Sequence, residues 1–147
     1  MTDHHEASGA PLTGHCLCGA VHIDITDPQG PAIACHCTQC RRQSGNFVVS
    51  TYHPKEAVTL TGAEHLIWYH ATPEKPAIRR GFCGICGSNM VWGSEDGWIS
   101  VNLGCLDGPT GMSTAYHIFC ADKGDYYEIT DGLPQYAKDD YPAVQED

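Results

Sequence analysis

Basic residues are scarce in this chain: 8 Lys and Arg stand against 18 Asp and Glu in 147 residues, a formal net charge of −10. Nucleic-acid binding relies on Lys and Arg to neutralise phosphates, so this balance excludes a phosphate-tracking surface. It also discourages contact with anionic membranes. No apolar run approaches the roughly 20 residues needed to span a bilayer. The first residues, Met1 to Pro11, carry Asp3, Glu6 and the pair His4-His5, with no basic start and no apolar stretch, so no secretory signal is visible. No linker and no repeat of solenoid period interrupts the chain, and its length suits one domain with a core of its own. These absences lead to the expectation of a cytoplasmic protein with no nucleic-acid or membrane partner.

What the chain does have is cysteine. Seven of its nine cysteines stand in three clusters: Cys16-Leu17-Cys18, Cys35-His36-Cys37-Thr38-Gln39-Cys40 and Cys83-Gly84-Ile85-Cys86. Thiolates at C-x-C or C-x-x-C spacing can share one cation, because the backbone between them turns back and brings both sulfurs together. In a reducing compartment such clusters read as metal ligands before disulfides, and an odd cysteine count fits a complete disulfide framework poorly.

Sixteen glycines and nine prolines punctuate short runs rich in Val, Ile, Thr and aromatics, which is the pattern of an all-β fold. Residues Cys16 to Ile25 alternate as a half-buried strand would, and further strands are expected at Phe47–Tyr52, Val58–Thr61, His65–Tyr69, Ala77–Phe82, Asn89–Trp92, Trp98–Leu103 and Tyr116–Phe119. One short helix is expected from Thr38, a candidate N-cap, through Arg41, Arg42 and Gln43 to a stop at Gly45. Residues 1–13 read as an N-terminal arm, 14–137 as the domain and 138–147 as an acidic tail.

On a strand, Cys16 and Cys18 would share a face and supply half a metal site, and the glycine-flanked Cys83/Cys86 knuckle would supply the other half. Cys35, Cys37 and Cys40 are three ligands within six residues, enough to hold a metal and leave its fourth position open. Spacing alone leaves the partition undecided, since Cys105, Cys120, His36 or His117 could complete a second closed site, and one shared cluster is conceivable. His36, between two ligands, points away from their metal in extended backbone, and His117 reads as a core histidine. Arg41 and Arg42 read either as a clamp for a peptide carboxylate or as an exposed helix face. Phe47 and Trp92 read as core or as pocket lining, and Cys105 and Cys120 as small buried residues.

The ordered motifs Gly14-His15-Cys16-Leu17-Cys18-Gly19-Ala20-Val21, Cys35-His36-Cys37-Thr38-Gln39-Cys40-Arg41, Ser44-Gly45, Phe82-Cys83-Gly84-Ile85-Cys86-Gly87-Ser88, Leu106-Asp107, His117-Ile118-Phe119 and Asp131-Gly132-Leu133-Pro134 resemble the glutathione-dependent formaldehyde-activating enzymes and centromere-protein-V-like domains. The resemblance implies a β-tent fold and two zinc ions per chain. It places a structural zinc on Cys16, Cys18, Cys83 and Cys86, and an open, catalytic one on Cys35, Cys37 and Cys40. It further implies reversible addition of a thiol, glutathione or similar, to formaldehyde or a related small aldehyde, which in reverse is a carbon–sulfur lyase reaction. Arg41 and Arg42 would then be the glutathione contacts. Two departures stand out: Tyr126 and Tyr127 occupy positions where family members often carry Trp, and Cys105 precedes Leu106-Asp107 where a small non-thiol residue is usual. The rival expectation is a non-catalytic zinc module that binds a protein or small ligand.

Overall fold

The computed structural model describes residues 10–28 and 30–140. They form ten strands and one α-helix: β1 (Leu12–His15), β2 (His22–Ile25), β3 (Ala32–Cys35), α1 (Thr38–Ser44), β4 (Val48–Pro54), β5 (Val58–Thr61), β6 (Leu66–Tyr69), β7 (Ile78–Cys83), β8 (Asn89–Ser94), β9 (Trp98–Asn102) and β10 (Thr114–Ile118). The fold is all-β. Three strands make a small sheet in the order β1-β2-β5, and seven make a larger one in the order β10-β3-β4-β9-β8-β7-β6. All pairs are antiparallel except β10, which runs parallel to β3. Alternation in β2 buries Ile23 and Ile25 completely and exposes His22. The two isoleucines join one apolar cluster with Leu66, Val91, Ile99 and Val101 of the larger sheet. Each such aliphatic side chain contributes about 1.5–3 kcal/mol on burial.

The stretch from Cys16 to Ile25 is not one strand. The chain leaves β1 at His15, turns, and returns as β2 with Leu12 opposite Ile25 and His15 opposite His22. Hydrogen bonds from Gly19 N–H to the Cys16 carbonyl and from Cys16 N–H to the Val21 carbonyl, both 3.0 Å, close that turn, with Gly19 at φ 84°. Glycine takes this left-handed conformation without a Cβ penalty, and a period of two gives no warning of it. The domain also starts before Gly14, because Leu12 and Thr13 belong to β1 and Leu12 is buried. At the far end Lys138 is part of the fold rather than of a tail: its carbonyl accepts from Phe119 N–H at 2.9 Å and its ammonium pairs with Asp122 at 3.1 Å. The pair His4-His5 and residues 141–147 lie outside the described residues.

The helix ends at Gly45, φ 88°, as its sequence indicates, with Gly45 N–H donating to the Arg41 carbonyl at 2.8 Å. Its N-cap is Cys37 and not Thr38. The Cys37 sulfur accepts the Cys40 N–H at 3.3 Å, so a sulfur takes the place that a hydroxyl or carboxylate usually fills.

Candidate metal centres

The turn between β1 and β2 presents Cys16 and Cys18, and the turn after β7 presents Cys83 and Cys86, with Gly87 at φ 83° matching Gly19 in the first turn. The four sulfurs lie within 4.8 Å of one another. Cys18 Sγ is 3.7 Å from Cys16 Sγ and 3.9 Å from Cys83 Sγ, close to the ~3.8 Å that a tetrahedron of ~2.3 Å metal–sulfur bonds requires. Backbone N–H groups already point at these sulfurs, from Val21 to Cys16 at 3.3 Å and from Ile85 and Cys86 to Cys83 at 3.4 and 3.5 Å. Such donors favour thiolates. Ser88 ties the two turns together: its hydroxyl oxygen accepts the Leu17 N–H at 2.9 Å and lies 3.2 Å from Cys86 Sγ. Hydrogen bonds from Ser88 draw the Cys86 thiol down to about 5. This donor set fits a closed metal site, formed by two knuckles rather than by a strand and a knuckle.

Cys35 at the end of β3, Cys37 at the N-cap and Cys40 in the first turn of α1 also bring their sulfurs within 4.8 Å, and no fourth His, Cys, Asp or Glu joins them among the described residues. Hydrogen bonds from Cys35 and Cys40, with the charge of Arg80 adding, push the Cys37 thiol far below its ordinary value. Sharing with Cys37 and Cys40 pushes Cys35 the opposite way. Three thiols this close resist ionising together without a cation, so the set fits a metal with one position left over. Arg80 of β7 reaches the cluster. Its guanidinium donates to Cys40 Sγ at 3.8 Å and to the side-chain carbonyls of Gln39 and Gln43 at 3.1 Å each, and lies 5.7 Å from the centroid of the Trp92 ring.

The arginines singled out in the sequence sit differently. Arg42 is exposed on α1, and Arg41 buries its Nε without a hydrogen-bond partner. Nothing in the sequence separates Arg80 from Arg79; only packing of α1 beside β7 does. Cys105 does not close the three-cysteine set. It lies against the four-cysteine centre, where burial, with Cys16 and Cys86 nearby, raises its thiol to about 11, and its sulfur donates to the Asn89 carbonyl at 3.6 Å.

His36 and His117 are buried and bonded to each other instead of to a metal, Nε2 to Nδ1 at 2.9 Å. Burial, with His117 alongside, holds His36 down to about 4, so its ring is neutral. Tyr127 OH lies 2.6 Å from His36 Nδ1, and Asp131 Oδ2 lies 2.8 Å from His117 Nε2. These four line a cavity of about 180 Å³ together with Phe47 and Glu128. A second cavity of about 190 Å³, between Leu60, Trp68 and Trp98 with Lys55 and Arg79 at its wall, touches no cysteine.

The sequence profile of the family described as "Glutathione-dependent formaldehyde-activating enzyme" matches residues 11–122, which include both cysteine centres and β1 through β10. The chain belongs to this family. A structural match agrees: the crystal structure of a Rhodobacter sphaeroides protein is 26% identical, with a TM-score of 0.52, over 66% of this chain and 89% of that one. No curated protein matches the chain. The glutathione-dependent formaldehyde-activating profile ends before Tyr127 and Asp131, which bond to His36 and His117 inside the matched region. No helix among the described residues is long and apolar enough to cross a membrane.

Proposed function

We propose that the protein joins a thiol, glutathione or a similar compound, to formaldehyde or a related small aldehyde, and also catalyses the reverse carbon–sulfur cleavage. The observation that carries this reading is the three-thiol set of Cys35, Cys37 and Cys40, which has no fourth protein ligand among the described residues and has a guanidinium at its edge. A closed four-sulfur site serves structure, whereas a three-ligand site leaves room for substrate.

In the forward direction the substrate sulfur forms a bond to the aldehyde carbon, the carbonyl π pair moves onto oxygen, and the proton lost from sulfur ends on that oxygen. Cys35, Cys37 and Cys40 would hold zinc, which when bound lowers the pKa of a thiol and offers positive charge to a developing alkoxide. Arg80 fixes the approach of an anionic thiol by charge-assisted hydrogen bonding, and Gln39 and Gln43 hold Arg80 in place. Arg80 therefore takes the anchoring role first given to Arg41 and Arg42. Cys16, Cys18, Cys83 and Cys86 would hold a second zinc that ties the start of the domain to its middle.

The direct test is to incubate the metal-loaded protein with glutathione and formaldehyde and follow the adduct by NMR. The reading requires adduct formation faster than the spontaneous rate. An unchanged rate across a panel of small thiols would remove the activity and leave the family assignment standing.

A further inference from the structure

We propose that Tyr127, Asp131 and His117 are positioning residues for the three-cysteine centre, acting through His36. The proposal rests on reading Cys35, Cys37 and Cys40 as a metal site.

His36 stands between two of those ligands, and both its backbone N–H and its ring are held. Its backbone N–H donates to the Ile118 carbonyl at 3.0 Å, its ring is fully buried, and Phe47 stacks on the ring at 4.6 Å between centroids. Both ring nitrogens are engaged, by Tyr127 and by His117.

The direction of the chain follows from its end. Asp131 is an acceptor only, with Oδ1 taking the Leu133 N–H at 3.0 Å and Oδ2 facing His117. With both rings neutral, His117 donates from Nε2, accepts at Nδ1 from His36 Nε2–H, and leaves His36 Nδ1 to accept the Tyr127 hydroxyl proton. Four side chains are thus joined in one continuous chain of hydrogen bonds.

A ring bonded at both nitrogens and stacked on one face keeps a single rotamer, and this sets the backbone at residue 36. Cys35 and Cys37 share peptide planes with that backbone, and in extended chain their Cβ atoms point opposite to that of His36. Holding the histidine therefore aims the two thiols. Geometry of this kind decides metal affinity when ligands are few, and supporting partners are worth roughly 10–100-fold in binding. Among the described residues no side-chain hydrogen bond joins the four-cysteine centre to this chain of bonds, so the effect is confined to one site.

Cobalt(II) titration of the reduced, metal-free full-length protein tests this, because thiolate-to-cobalt charge-transfer and d–d bands report each site's occupancy and geometry. Wild type is compared with Tyr127→Phe, Asp131→Ala, His117→Ala and His117→Gln, the last keeping a donor and an acceptor. The expected result is an unchanged first equivalent, and a second equivalent bound roughly 10–100-fold more weakly with shifted d–d bands in Tyr127→Phe and Asp131→Ala. His117→Gln recovers part of what His117→Ala loses. Second-equivalent affinities within about twofold of wild type, with identical spectra, would overturn the proposal, as would weakening of both equivalents together. Should Asp131→Ala not fold, Tyr127→Phe decides alone, since it removes one hydroxyl and keeps the stacked ring. A wild type that takes up a single equivalent removes the three-cysteine site itself, and is thereby distinguished from failure of the positioning role.

Discussion

At the scale of single residues, substitutions of Cys40 and Arg80 would separate the two jobs proposed for the three-cysteine site. Cys40→Ser is expected to lose one of two bound metals and to lower thiol-dependent activity by more than the roughly 10–100-fold cost of changing a supporting partner. Metal analysis and circular dichroism check that the fold survives. Arg80→Gln should keep both metals and lower kcat/KM for an anionic thiol by about tenfold or more, the worth of a charge-assisted hydrogen bond. An uncharged thiol should show little of that loss; equal loss for both thiols would deny Arg80 a role in recognising charge. The grouping of the cysteines was legible in the sequence because C-x-C and C-x-x-C spacing brings sulfurs together. Arg80 was not, because its place depends on α1 lying against a strand whose register comes from distant pairing.

At the scale of elements, the strands from β4 to β10 were legible to within a few residues, since each carries β-branched or aromatic residues between turns. The first hairpin was not. Its alternation continues across a turn, so the break shows only in the structure, in the positive φ of Gly19 and the hydrogen bonds that close the turn. β3, Ala-Ile-Ala-Cys, was not legible because it carries a single β-branched residue and runs straight into the cysteine cluster. Gly14 in β1 lies against the turn that carries Cys105, where an added Cβ would sit 2.2 Å from the Cys105 carbonyl oxygen and 2.8 Å from Leu106 Cα. Both obstacles are backbone atoms and cannot swing aside. Gly14→Ala should therefore cost about 1–3 kcal/mol, read from a shift of the urea midpoint. Cys83→Ser, which opens the closed centre, should abolish cooperative unfolding, in contrast to Cys40→Ser.

At the scale of the whole molecule, acid should weaken the fold by more than metal loss alone. His53 is fully buried beside Thr51, with 2.8 Å between Nε2 and the hydroxyl, and burial lowers its pKa to about 4. The unfolded chain takes up this proton near pH 6.5, before the folded protein does, so its contribution is present above about 6.5 and is lost as pH falls through about 4. The stake is about 3 kcal/mol. The stability gap between wild type and His53→Leu should narrow between pH 6.5 and 4.5 in urea titrations, a difference from which metal release cancels. The two cysteine centres also differ in how far along the chain their ligands lie. One gathers Cys16 and Cys18 with Cys83 and Cys86, while the other is complete within Cys35 to Cys40. During synthesis from the N-terminus, the three-thiol set is finished about forty residues before the second knuckle emerges. A metal held by the three thiols could therefore be taken up before the four-cysteine set is complete, and metal uptake at the two centres would be ordered along the chain.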